Sequence, residues 1–100
     1  MMLTTEDIKT MQNFFTKQPV VKAFLFGSLS RNEATAESDI DILVELDYTQ
    51  HIGLGFIDMK LDLERQLNKK IDLVSDNSIS KHLRPFIDSD KKLIYERPIG

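Results

Sequence analysis

Over residues 4–18, apolar side chains recur at Ile8, Met11 and Phe15, the i, i+3, i+7 spacing of one helix face. Thr4 or Thr5 can cap this helix, and Glu6 and Asp7 lie where the helix dipole favours acids. Pro19 blocks its continuation. The pattern then changes. Residues 20–26, VVKAFLF, are β-branched and aromatic and predict a buried strand that Gly27 ends. A short helix or turn is predicted over about 30–36. Residues 39–46 form a second strand, in which Ile40, Ile42 and Val44 alternate with Asp39, Asp41 and Leu43.

The longest helix is predicted over 53–68 and carries two apolar stripes. Leu54, Ile57 and Leu61 make one; Phe56, Met59, Leu63 and Leu67 make the other. Two stripes predict packing against a sheet on one side and a neighbouring helix on the other. The alternative gives part of the second stripe to a partner interface. Residues 70–75, KIDLVS, predict a third strand, 80–88 a short helix interrupted by Pro85, and KLIYE a last strand. The order of elements, αβ(α)βαβαβ, is that of an α/β or α+β domain.

Composition narrows the function classes. One hundred residues with no linker-like stretch fit one domain, and 41% hydrophobic residues argue against disorder. The absence of cysteine excludes disulfides and thiolate metal sites and fits a reducing compartment. With no signal-peptide pattern at the N-terminus and no apolar run near the ~20 residues of a membrane helix, a soluble, cytoplasmic chain is expected. A net charge of −3 argues against bulk nucleic-acid binding through a basic surface. It leaves room for a phosphate ligand bridged by cations.

Aspartates are poor strand formers, so two of them at the head of a strand need a reason. Strand periodicity puts Asp39 and Asp41 on one face, about 7 Å apart. Carboxylates held so close repel unless a cation lies between them, and magnesium accepts such hard oxygen ligands. A crossover helix over 53–68 makes the second and third strands parallel neighbours, so Asp72 can face Asp39 and Asp41. If the first strand runs antiparallel to the second, Gly27 and Ser28 fall beside the two acids. Glycine permits close backbone approach, and the N–H groups of the following turn can bind anionic oxygens. The layout is a phosphate cradle on one side and metal-binding carboxylates on the other.

GSLSRNEATAESDID, a Gly-Ser separated by ten residues from Asp-x-Asp, resembles the signature of the DNA polymerase β-like nucleotidyltransferase superfamily. With the later acid in KIDLV, the spacing is similar to that of the minimal nucleotidyltransferases, which pair with HEPN-domain proteins. The resemblance runs from about Val20 to Ser75. It implies a nucleotidyltransferase fold of α+β (α/β-like) class, a mixed β-sheet with helices mainly on one face. Asp39, Asp41 and Asp72 would be the catalytic and metal-binding acids of a two-Mg²⁺ site, and Gly27, Ser28 and Arg31 would bind the nucleotide. Asn32 stands where such families commonly carry glycine, and Asn tolerates left-handed backbone angles.

The implied activity is transfer of AMP from ATP to a protein hydroxyl, a tyrosine of a cognate HEPN ribonuclease toxin. The chain would then be the antitoxin, with room for a hetero-oligomer between the two proteins. Two other readings stay open: an antitoxin that masks its toxin by contact alone, and nucleotidyl transfer to a small molecule or nucleic acid. Ser28 can also be read as a helix cap, Arg31 as half of an ion pair, and His51 and His82 as surface histidines. No G-x-S-x-G elbow supports Ser28 as a nucleophile.

Overall fold

The computed structural model describes residues 3–27 and 39–98. Its elements are α1 (Thr5–Phe15), β1 (Val20–Phe26), β2 (Ile40–Leu46), α2 (Gly55–Leu67), β3 (Ile71–Ser75), a 3-10 turn (Asp76–Ser78), α3 (Arg84–Asp90) and β4 (Lys92–Glu96). The strands form one sheet in the order β3-β2-β1-β4. β2 and β3 are parallel, whereas β1 is antiparallel to both β2 and β4. This is the mixed-sheet α+β architecture expected. The short element expected over 30–36 lies outside the described residues.

α1 begins where the polar pattern placed it. Asp7 N–H donates to Thr4 Oγ1 and Thr4 N–H donates back to Asp7 Oδ2, both at 3.0 Å, closing a capping box. The Thr4 N–H bond is the main cause that holds the Asp7 carboxyl below its ordinary pKa. Lys69, 3.5 Å away beyond the end of α2, adds to it. The helix stops at Phe15, earlier than expected. Lys17 and Gln18 N–H donate to carbonyls three residues back, the tightening of a last turn. Gln18 precedes proline, where the helical region is sterically disfavoured.

α2 starts two residues later than expected because Gly53 has φ +46°, outside any right-handed helix. It ends at Asn68, in the left-handed conformation at φ 54°. Met59, Leu63 and Leu67 are buried, and Phe56 packs partly against them. With Met11, Phe14 and Phe15 of α1 they cover Val20, Ala23, Leu25, Ile40, Ile42 and Val44 of the sheet. The second stripe is therefore core and not a partner interface. The stripe left exposed is Leu54, Ile57 and Leu61. The reason is geometric: a helix lying on a sheet turns one stripe toward it, and the opposite stripe faces outward.

Pro85 does not interrupt α3. It sits in the first turn, where its missing N–H costs no helical bond. Ser80 precedes that turn, its Oγ accepting from Leu83 N–H at 3.3 Å. No helix among the described residues is long and apolar enough to cross a membrane.

Asp47 joins three segments. Its N–H donates to Pro19 O at 2.8 Å, and its carboxylate accepts from Thr49 Oγ1, Thr49 N–H and, at 2.8 Å, Arg97. These bonds, the Thr49 hydroxyl first and Arg97 next, hold its carboxyl well below the usual carboxylate range. A carboxyl whose pKa is lower in the folded than in the unfolded chain stabilises above the unfolded value of about 3.9, and that stability is lost as pH falls below it. Thermal melts should therefore show Asp47→Asn less stable than the parent at pH 7, with the gap closing below about pH 4. A gap independent of pH would show that the carboxylate's charge contributes nothing.

Candidate active site

Three of the expected site residues meet at one end of the sheet. Antiparallel pairing sets Phe26, the last residue of β1, opposite Asp41 of β2, so Gly27 turns away directly beside Asp41. Gly27 has φ +73°, and a Cβ built on it would run into the Asp41 carboxylate, with Oδ2 nearest and Cγ at 3.2 Å. Only glycine combines that backbone angle with that approach. On the other side, the parallel register pairs Asp41 with Asp72. Paired residues of neighbouring strands point to the same face, and the strands lie about 4.8 Å apart. The two carboxylates thus project from adjacent strands on the same side.

The start of β3 is pinned at this point. Ile40 N–H donates to Lys70 O at 3.0 Å, and Ile71 N–H donates to the Glu64 carboxylate of α2 at 2.9 Å. Glu64 therefore fixes the residue just before Asp72. Its role had no signal in the sequence, since it lies seven residues upstream on a helix and reads as an ordinary surface acid. Asp39 is exposed, one residue before β2. Ser28 and Arg31, with Asn32 and Ser38, lie outside the described residues.

The sheet face that carries these acids is the one opposite α1 and α2. Leu43 and Val74 follow Asp41 and Asp72 in register, as strand alternation predicts. Leu43 is fully buried, which leaves it no surface for a nucleotide base; covering by the protein's own chain is the better account. The connection from β3 to β4 reaches this face. Lys91 Nζ sits 4.6 Å above the ring of Phe24, the cross-strand partner of Leu43, and is 3.0 Å from Asp88. Arg84 braces the same connection through Asp76, at 3.2 Å to its carboxylate and 2.7 Å to its carbonyl. Residues 81–86, KHLRPF, thus contribute Arg84 to a structural ion pair, while Lys81, His82 and Phe86 are exposed.

Among the described residues no three His, Cys, Asp or Glu side chains lie close enough to hold a metal ion. The Asp41–Asp72 pair nevertheless has the donor chemistry that magnesium takes: one or two carboxylates, with water and substrate phosphates completing the octahedron. A sheet end where a close-approaching glycine meets paired carboxylates suits binding of a nucleoside triphosphate through a bridging cation.

Comparison with known proteins places the chain among nucleotidyltransferases. A Methanocaldococcus jannaschii protein described as a candidate protein adenylyltransferase is 41% identical over 68 residues, 68% of this chain and 72% of that protein. The protein adenylyltransferase MntA of Thermococcus cleftensis is 35% identical over 83 residues, 78% of this chain and 83% of that protein. A solved complex of tri-AMPylated Shewanella oneidensis HEPN toxin with MNT antitoxin contains a chain of the same fold. It superposes with a TM-score of 0.70 at 21% identity, covering 94% of this chain and 73% of that one. The family model for polymerase beta, nucleotidyltransferase matches residues 9–99, which takes in the whole sheet and every acid of the site. The chain belongs to the polymerase beta nucleotidyltransferase family.

Proposed function

We propose that this chain, as a single minimal domain over residues 1–100, is a Mg²⁺-dependent protein adenylyltransferase acting as an antitoxin in the cytoplasm. It would transfer AMP from ATP to a tyrosine hydroxyl of a cognate HEPN ribonuclease toxin. The observation that carries this reading is the in-register pairing of Asp41 with Asp72, with Gly27 packed against Asp41. Relatives named protein adenylyltransferases, and the fold shared with a chain from an AMPylated HEPN–MNT complex, support the choice of AMP and of acceptor.

In the reaction, the acceptor oxygen bonds to the α-phosphorus of ATP, the bond from that phosphorus to the β-phosphate bridging oxygen breaks, and pyrophosphate leaves. Magnesium, when bound, neutralises the triphosphate and stabilises charge on the attacking and leaving oxygens. Asp41 and Asp72 are the paired carboxylates that would hold it, and Asp39, exposed at the head of β2, is the third acid of the proposed site. Asp72, exposed on an edge strand where an acceptor can reach it, would also take the hydroxyl proton. Gly27 and Ser28 would hold phosphate oxygens, and Arg31 would add a positive charge to that cradle.

Intact-mass measurement on a mixture of this chain, ATP, Mg²⁺ and the cognate HEPN toxin tests the reading. The toxin should gain mass in AMP units, and Asp72→Asn should cut the rate by at least about 100-fold. A stable complex with no mass gain would replace this reading with masking by contact.

A further inference from the structure

α2 is apolar on two opposite sides, and only one is used inside the molecule. Met59, Leu63 and Leu67 face the sheet, whereas Leu54 is 79% exposed, Ile57 56% and Leu61 44%. At i, i+3, i+7 the exposed residues make a continuous ridge along the helix. A surface helix of a monomer needs one apolar stripe, and a second one pointing outward marks a surface that something covers.

The charges beside the ridge indicate what covers it. On a helical wheel, Asp58 and Arg65 flank the ridge on the same side, separated by seven residues, or about 10 Å of helix. A two-fold axis perpendicular to the helix, passing between residues 61 and 62, lays a second copy antiparallel across the first. That rotation keeps flanking residues on their own side and exchanges 58 with 65, so Asp58 of each copy meets Arg65 of the other. It also brings the two Leu61 side chains together at the centre, with Ile57 of each copy beside them. A parallel arrangement would set Arg65 against Glu64 instead, and Glu64 is already engaged with the Ile71 N–H. Among the described residues Arg65 pairs within its own helix, with Asp62, a partly exposed i, i+3 arrangement that contributes little.

We infer that the exposed face of α2 binds a second copy of this chain, in an antiparallel, isologous helix pair centred on Leu61. Because the ridge points away from the sheet, on the side opposite the acid-bearing face, both active sites stay open in the pair. The dimer would offer two sites facing outward. This inference stands on the α2 surface and does not depend on the identity of the acceptor.

Sedimentation equilibrium of the full chain over about 1–200 µM, the range of a weak, small interface, tests it. The parent should pass from monomer to dimer in that range, and Leu61→Glu should stay monomeric with an unchanged circular dichroism spectrum. Asp58→Arg or Arg65→Asp alone should raise the dissociation constant by about ten-fold, since each change spoils two symmetric contacts. The combined exchange Asp58→Arg/Arg65→Asp should restore it. A parent that is monomeric throughout, a dimer that survives Leu61→Glu, or a double exchange that fails to restore pairing would each overturn the inference.

Discussion

Asparagine at both 39 and 41 is expected to lower AMP transfer by on the order of 10³-fold or more while leaving the fold in place. The substitution removes two negative charges but almost no volume. Asp39 lies outside β2 and is exposed, while the residues of β2 that build the two-helix core are Ile40, Ile42 and Val44, which point the other way. The melting temperature should therefore move by only a few degrees, an ordinary surface effect. Transfer, followed by intact mass at saturating ATP and Mg²⁺, should be undetectable on the time course that completes the parent reaction. Retention of more than a tenth of parental transfer would remove these two acids from the catalytic site, whatever the fate of the toxin.

The second large effect is expected at Gly27, and here two causes can be separated. Gly27→Ala places a β-carbon where φ is +73° and where the Asp41 carboxylate already lies. The left-handed angle costs about 1–2 kcal/mol for an L-residue, so the melting temperature should fall by several degrees. The collision pushes Asp41 out of register with Asp72, and a shift of about 1 Å in a catalytic group costs on the order of 100-fold in rate. Gly27→Asn distinguishes the two effects. Asparagine tolerates the left-handed region but still carries a β-carbon. It should recover part of the lost stability and none of the lost transfer. Recovery of both would show that only backbone strain mattered and that Asp41 is indifferent to its neighbour.

Much of the site was legible because its spacing is local. A glycine ending an apolar strand, followed by an acidic pair at the head of the next, needs only antiparallel pairing to come together, and β1 and β2 pair in that way. Strand β1 spans the residues its β-branched run predicts, and Thr4 caps α1 as its side-chain chemistry allows. Asp72 was harder to place, because its position beside Asp41 depends on a parallel register set across the whole of α2. The bonds from Glu64 to Ile71, from Arg97 to Asp47 and from Lys91 to the Phe24 ring had no local trace.

The apolar pattern along 53–68 shows most plainly where local reading stops. Periodicity found both stripes of α2 and predicted that both would be packed, with part of the second as the alternative partner interface; the second is core and the first is exposed. A helix with apolar residues on two sides satisfies its own backbone equally well in either orientation, so nothing within the segment selects the buried side. That choice came from packing: Met59, Leu63 and Leu67 meet Ile40, Ile42 and Val44 across a shared core, and Leu54, Ile57 and Leu61 are left outside. By itself the sequence determined the strands, the main helices, the glycine that ends β1 and the acids at a strand head, since backbone sterics and side-chain period act within a few residues. Tertiary structure decided which stripe is core and which acid stands beside which, because burial and strand register arise from contacts between segments far apart in the chain.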